Sequence, residues 1–397
     1  MKKITALLLS LLLIFSLVSC TNQASTSNDA TVSTTEAVIS NEWANVKEYS
    51  FNKDVPVKNI ILLIGDGMGE NTIKNAEIIK GDKLAMSLTP YFTHVTTDSL
   101  SGTTDSAAAA TAISCGVKTY NQYIGIDGDK HDVESICEFA QAKGMKTGLV
   151  ATQIINHATP AGMIAHVDYR DLYSKIIRQE ITADIDVMLG GGSEYYTSKM
   201  EKLAKEHNYK YISTDKELNT LDKENDKKML GLFSYNALYA DDTPSLDNMA
   251  KSALDILKND NGFFLMIEGS EIDVQLSKLD MTGAMEEMKA FDRAVDVALD
   301  FASKNEGTLV LVTADHETGG VIVPESKDAK DINNDCITSG GEHTNANVLL
   351  FAFGSKSDII TKNEVIDNID ISKYMREFLN ETYGEKEVNF KNRYETE

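Results

Sequence analysis

Positive charge is what this sequence lacks most. Its 397 residues carry 38 Lys and Arg against 61 Asp and Glu, a formal net charge of −23. A general nucleic-acid binder is excluded on that ground, because backbone phosphates are held by Lys and Arg. Any phosphate this chain binds needs a local cation, from a side chain or a metal, to reverse the sign. Cysteine is equally scarce, with four in all. Beyond Cys20, only Cys115, Cys137 and Cys336 remain, scattered and odd in number. That leaves no zinc-finger spacing and no disulfide framework, and the simplest reading is small semi-buried thiols. Apolar runs long enough to span a bilayer are absent, and so are internal repeats. Histidine is rare enough, at seven, for each to be placed individually.

What is present begins with an address. Lys2 and Lys3 precede an apolar run of 13 residues, positions 6–18, the anatomy of a signal peptide. Leu17-Val18-Ser19-Cys20 resembles a bacterial lipobox. The expectation is therefore a lipoprotein signal over 1–19, lipidation at Cys20, and an extracytoplasmic protein anchored to a bacterial membrane. The Ser-, Thr- and Asn-rich stretch that follows, assigned to 20–50, reads as a flexible tether. The remainder, 51–397, is read as one catalytic domain, with the more polar stretch 193–242 as a possible insertion.

Within it, near-continuous apolar runs at 59–64, 147–152, 186–189, 262–267, 308–313 and 347–353 suit strands buried on both faces. Amphipathic stretches at 133–143, 245–257 and 285–301 alternate with them. This pattern predicts an α/β fold, a three-layer α/β/α sandwich around a large, mostly parallel sheet. Three runs lead into an acid at their carboxyl ends: Asp66, Glu268 and Asp315. Ligands bind at that edge of open α/β sheets. Three converging carboxylates repel unless protons or metal ions neutralise them.

Four motifs occur in order: Gly65-Asp66-Gly67-Met68-Gly69, Thr104-Asp105-Ser106-Ala107-Ala108, Thr313-Ala314-Asp315-His316-Glu317-Thr318-Gly319-Gly320 and Gly341-Glu342-His343-Thr344. Together they resemble bacterial alkaline phosphatases, over roughly residues 57–383. The local sequence places Ser106 at the start of an Ala-rich helix, where backbone N–H groups favour an anion or where Asp105 or Ser106 simply caps the helix. The resemblance implies that Ser106 is the nucleophile that becomes phosphorylated. No histidine motif adjoins it, so metal activation is the natural companion.

The resemblance also implies the metal sets. Asp66, Asp315 and His316 match a zinc site beside the serine, and mixed carboxylate and imidazole ligands suit zinc. Asp66, Thr159 and Glu268 match an all-oxygen magnesium site, with His157 at a place where members carry Asp or His beside that magnesium. Arg170 matches the arginine that clamps the phosphate. The other zinc site departs from the pattern. Asp273 and His343 fit it, but the intervening His position is Ser277, a poor zinc ligand. Asp280, three residues on, could reach inward instead. Members are commonly homodimers.

The leading expectation is a secreted phosphomonoester hydrolase using two Zn2+ sites, one weakened, and Mg2+. A second reading is a surface lipoprotein that binds phosphate or metal without useful turnover, and Ser277 is its whole case. A third is a related phosphodiesterase or sulfatase-like hydrolase, disfavoured by the Asp105-Ser106-Ala107 context and by Arg170.

Overall fold

The computed structural model describes residues 42–385 except 46, 223, 224, 227 and 239–242. The signal segment 1–19, Cys20 and the tether up to 41 lie outside the described residues. Twelve strands are seen among those described: β1 (Asn59–Gly65), β2 (Phe92–Thr96), β3 (Lys146–Ile154), β4 (Val187–Gly191), β5 (Lys210–Ile212), β6 (Met229–Leu232), β7 (Phe263–Gly269), β8 (Thr308–Thr313), β9 (Glu317–Thr318), β10 (His343–Thr344), β11 (Val348–Gly354) and β12 (Val365–Asp367). Ten form one sheet in the order β12-β2-β11-β8-β1-β7-β3-β4-β6-β5. Only β11 runs against its neighbours, β8 and β2, so the sheet is mixed but mostly parallel. Every residue of β1, β7, β8 and β11 is buried. That two-sided burial explains why these strands are unbroken apolar runs rather than alternating ones.

The α-helices are α1 (Glu70–Lys80), α2 (Ser106–Cys115), α3 (Ile136–Ala142), α4 (Ala158–Gly162), α5 (Tyr173–Thr182) and α6 (Ser198–Glu206). They continue with α7 (Asp215–Asn219), α8 (Leu246–Leu257), α9 (Glu271–Ser277), α10 (Met281–Lys304), α11 (Ser357–Ile360) and α12 (Asn368–Tyr383). α8 and α10 pack on each other and on the central strands. α2, α3 and α12 form a second group, which meets the sheet through α3. The result is the expected three-layer arrangement, with the large, mostly parallel sheet between two helical layers.

Two boundaries differ from the sequence reading. Trp43, Tyr49 and Phe51 pack against the core. Lys47 pairs with Asp296 of α10 at 2.8 Å, and the Tyr49 hydroxyl donates to the same carboxylate. Residues from 42 onward, given to the tether, therefore lie against α10, because aromatic anchors outweigh the polar composition around them. The stretch 193–242 is no separate insertion over its described residues. It supplies β5 and β6, which extend the same sheet beyond β4. No helix among the described residues is long and apolar enough to cross a membrane.

Candidate active site

The strand order β8-β1-β7 fixes the site. Ile64 of β1 aligns with Glu268 on one side and Thr313 on the other, so the three strands end together. Their carboxyl ends deliver Asp66, Glu268 and Asp315 side by side, all buried. Gly67 follows at φ +72°, and its N–H donates to Asp315 Oδ1 at 3.0 Å. A Cβ on Gly67 would lie 2.8 Å from Thr318 Oγ1 and 2.9 Å from Asp273, so close approach as well as backbone conformation demands glycine there.

His316 stands at the centre, fully buried. Its Nε2 lies 3.2 Å from Asp315 Oδ2, 3.5 Å from Asp66 Oδ1 and 3.5 Å from Ser106 Oγ. Burial lowers its pKa, against the pull of Asp315, so the ring is neutral and offers a lone pair. His343 stacks on it with ring centroids 3.6 Å apart. The β9–β10 ribbon makes this stack, by pairing His343 with Thr318. His343 Nδ1 donates to the Thr104 carbonyl at 2.9 Å, and Nε2 lies 3.4 Å from Asp273 Oδ1. Burial opposes a charge on His343, but Asp273 and the Thr104 carbonyl outweigh it and lift the pKa to about 9. Asp273 is held down to about 2: burial opposes this, and His343, His316 and Thr318 prevail.

The carboxylates carry the clearest sign of a cation-binding site. Asp66 Oδ1, Asp315 Oδ2, both oxygens of Glu268 and the Thr159 hydroxyl are buried without a hydrogen-bond partner. Burial, then Asp315, Asp273 and Glu268, push the Asp66 carboxyl well above its ordinary range. Burial also lifts Glu268 to about 8, although the neighbouring Ser270 and Thr159 hydroxyls pull it partly back. Buried acceptors without donors are costly, and a divalent cation would satisfy them together. Two trios already bring one ligand atom each within 4.8 Å of the others: Asp66, Asp315 and His316, and Asp273, His316 and His343. The residues present therefore fit bound metal.

Ser106 is the first residue of α2, whose ten residues aim their N–H groups toward it. Asp105 caps the helix by accepting from the Ala108 N–H at 3.0 Å. The same carboxylate accepts from Arg170 Nη1 at 3.1 Å, which hangs the guanidinium beside the serine. Arg170 Nη2 lies 3.4 Å from His157 Nε2. Burial and then Arg170 lower the His157 pKa to about 3, so its ring is neutral and accepts. The sequence reading treated Asp105 only as motif or cap and gave Thr318 no role. In the structure Thr318 Oγ1 donates to Asp273 and lies 3.2 Å from His316 Nδ1.

Two candidates do not join the cluster. Ser277 Oγ donates to the Gly341 carbonyl at 3.1 Å. Asp280 caps α10, accepting from the Gly283 N–H at 3.0 Å, so it does not replace the absent histidine. No spare histidine does either. His94 faces Glu70, His131 faces Asp127, His207 faces Asp184, and His166 is buried against Glu138. Cys115, Cys137 and Cys336 are buried free thiols.

A model of the family described as alkaline phosphatase matches residues 57–333. The chain belongs to the alkaline phosphatase family. Among curated alkaline phosphatases, it is 41% identical over 292 residues to alkaline phosphatase 4 of Bacillus subtilis, a match covering 67% of this chain and 63% of that protein. It is 33% identical over 375 residues to the alkaline phosphatase of Escherichia coli K12, covering 77% and 78%. It thus spans slightly under two thirds of the Bacillus relative's length. Among solved alkaline phosphatases, that of the Antarctic bacterium TAB5 superposes with a TM-score of 0.74 at 32% identity, over 82% of this chain and 98% of that one.

Proposed function

We propose that this alkaline phosphatase family member is a metal-dependent phosphomonoester hydrolase working through a phosphoserine on Ser106. The observation that carries the reading is Ser106 Oγ at the amino end of α2, 3.5 Å from His316 Nε2, with Arg170 tethered beside it by Asp105. Asp66, Asp315 and His316 would hold one zinc, Asp273 and His343 a second, and Asp66, Thr159 and Glu268 a magnesium, with His157 alongside. Bound there, such cations supply positive charge that acidifies a hydroxyl or water and offsets phosphoryl oxygens.

The chain's own residues do the rest. Arg170 releases Asp105 in part and offers its planar fork to two phosphoryl oxygens. The α2 amino end adds backbone N–H groups to the same anion. Ser106 gives up its hydroxyl proton to solvent as its Oγ attacks phosphorus in line, the P–O bond to the alcohol breaks, and the departing alkoxide takes up a proton from solvent. Water then cleaves the phosphoserine and returns Ser106 with inorganic phosphate.

Supporting the lipoprotein reading are Lys2, Lys3, the apolar run at 6–18 and the Leu17–Cys20 sequence. On this reading Cys20 is lipidated and the enzyme works outside the cytoplasm on small phosphomonoesters. Replacing Cys20 with Ser should release the protein from the membrane fraction. The hydrogen bond that occupies Ser277 favours a second reading, a phosphate binder without useful turnover. One assay separates them. An aryl phosphate monoester is hydrolysed after chelation and re-addition of zinc and magnesium, by the parent and by Ser106→Ala. Metal-restored activity that Ser106→Ala lacks supports the phosphatase; an inactive parent at saturating zinc rejects it.

A further inference from the structure

His166 lies four residues before Arg170 and is 4% exposed, and no step above uses it. Its ring sits between two oxygen acceptors. Nδ1 is 2.7 Å from the Gly125 carbonyl, and Nε2 is 3.3 Å from Glu138 Oε1. A carbonyl can only accept, so Nδ1 must donate. A carboxylate also accepts, so both contacts are satisfied only while the His166–Glu138 pair keeps a proton between the ring and Oε1. Loss of that proton sets a nitrogen lone pair against a buried carboxylate.

The contacts around the ring lead in two directions. Toward Arg170, the His166 N–H donates to Gln179 Oε1 at 2.8 Å, and Val167 and Ile124 exchange backbone hydrogen bonds of 2.9 Å each way. Toward the nucleophile, the Gly125 N–H donates to Thr111 Oγ1 on α2 at 3.0 Å. Thr111 Oγ1 also lies 2.8 Å from the Ala107 carbonyl and 3.2 Å from the Tyr123 carbonyl. Gly125 adopts φ +63°, and a Cβ there would sit 2.0 Å from the Ala165 carbonyl oxygen and 2.8 Å from His166 Nδ1. The two segments therefore pass too closely for a side chain at position 125. Glu138 is fixed in turn, because its Oε2 accepts the Ser135 N–H at 2.9 Å in the cap of α3.

We infer that His166 is a positioning residue: while the His166–Glu138 pair keeps its proton, it locks the segment carrying Arg170 onto α2, and so sets the register between the phosphate clamp and Ser106. The inference rests on the phosphatase reading for what the clamp holds. Glu138 from α3 and Asp132 from the loop before it are charged groups that act on the ring, whereas Gln179 of α5 and Thr111 of α2, which hold the adjoining backbone, are neutral. Burial opposes a charge on His166, but Glu138, the Gly125 carbonyl and Asp132 outweigh it and raise the pKa above the ordinary histidine value. The lock is thus complete below the ordinary histidine pKa and is lost as pH rises through the raised value.

The test uses the full-length protein loaded with zinc and magnesium, with inorganic phosphate as the binding probe and an aryl phosphate monoester as substrate. His166→Asn keeps a donor near Nδ1 but gives up Nε2. It should weaken phosphate binding and raise KM by about 10-fold or more, with a smaller change in kcat, since misplacing a clamp is felt mainly through binding. Glu138→Gln turns its carbonyl oxygen to the Ser135 N–H and its amide N–H to a neutral ring. It should keep phosphate affinity near the parent's and abolish the fall in affinity that the parent shows as pH rises. Phosphate bound equally well by His166→Asn, or an unchanged pH profile in Glu138→Gln, overturns the inference. A parent that binds phosphate yet hydrolyses no ester overturns the phosphatase reading instead, and the phosphate-binding comparison still decides on His166.

Discussion

Restoring a histidine at position 277 tests what its loss costs. Asp273 and Ser277 are four residues apart on α9, so their side chains share one face of the helix. An imidazole at 277 would stand over Asp273 and opposite His343, whose Nε2 is already 3.4 Å from that carboxylate. The substitution gives up the Ser277–Gly341 hydrogen bond of 3.1 Å, worth about 1 kcal/mol. It adds a third protein ligand, and a ligand or its supporting partner is typically worth about 10–100-fold in metal affinity. At about 1.4 kcal/mol per tenfold, that is roughly 1.4–2.8 kcal/mol, larger than the loss. The assay titrates hydrolysis of an aryl phosphate against buffered free zinc, for parent and Ser277→His. The half-saturating zinc should fall by about one order of magnitude or more in the variant. Coincident zinc curves would refute the reasoning, because they would show that position 277 contributes nothing to either zinc site.

Three further outcomes follow from particular side chains. Arg170→Ala should cost about 2–5 kcal/mol in kcat/KM, and Arg170→Lys should recover only part, since a point charge cannot reproduce the fork; steady-state kinetics on both variants checks this. Glu180 of α5 is fully buried with neither oxygen hydrogen-bonded, and burial raises its pKa well above the usual range. Glu180→Met should therefore stabilise the fold by about 1–3 kcal/mol in denaturant unfolding, and more at alkaline pH. Glu287 is raised to about 7 by burial and then by Glu271 and Glu286. Its folded value lies above its unfolded one, so the folded state binds more protons and loses stability as pH rises from about 4.5 to about 7. Glu287→Gln should flatten that slope, by roughly 1–3 kcal/mol across the window, in chemical denaturation at a series of pH values.

The fold was legible where burial is two-sided. The run at 308–313 coincides with β8, and those at 59–64 and 262–267 fall within a residue or two of β1 and β7, because these central strands are apolar throughout. Strands at or next to the sheet's edges were not legible: β2 alternates buried with partly exposed residues, and β5 and β12 have three residues each. The acids at the strand ends were readable because sequence position alone places them at the carboxyl edge. Thr318 and the Asp105–Arg170 pair were not, because their roles depend on side-chain directions across 45 and 65 residues. His166 escaped for the same reason: nothing in its neighbours along the chain shows the Gly125 carbonyl and Glu138 carboxylate that bracket it.

The central claim is that Ser106 carries the phosphoryl group during turnover. Metal-loaded protein is mixed with an aryl phosphate monoester, quenched in acid, digested, and mapped by mass spectrometry. The account predicts one added phosphoryl group on the peptide containing Ser106, absent from Ser106→Ala and from chelated protein. Active enzyme that shows hydrolysis without any phosphorylated Ser106, or with undiminished turnover in Ser106→Ala, would contradict it.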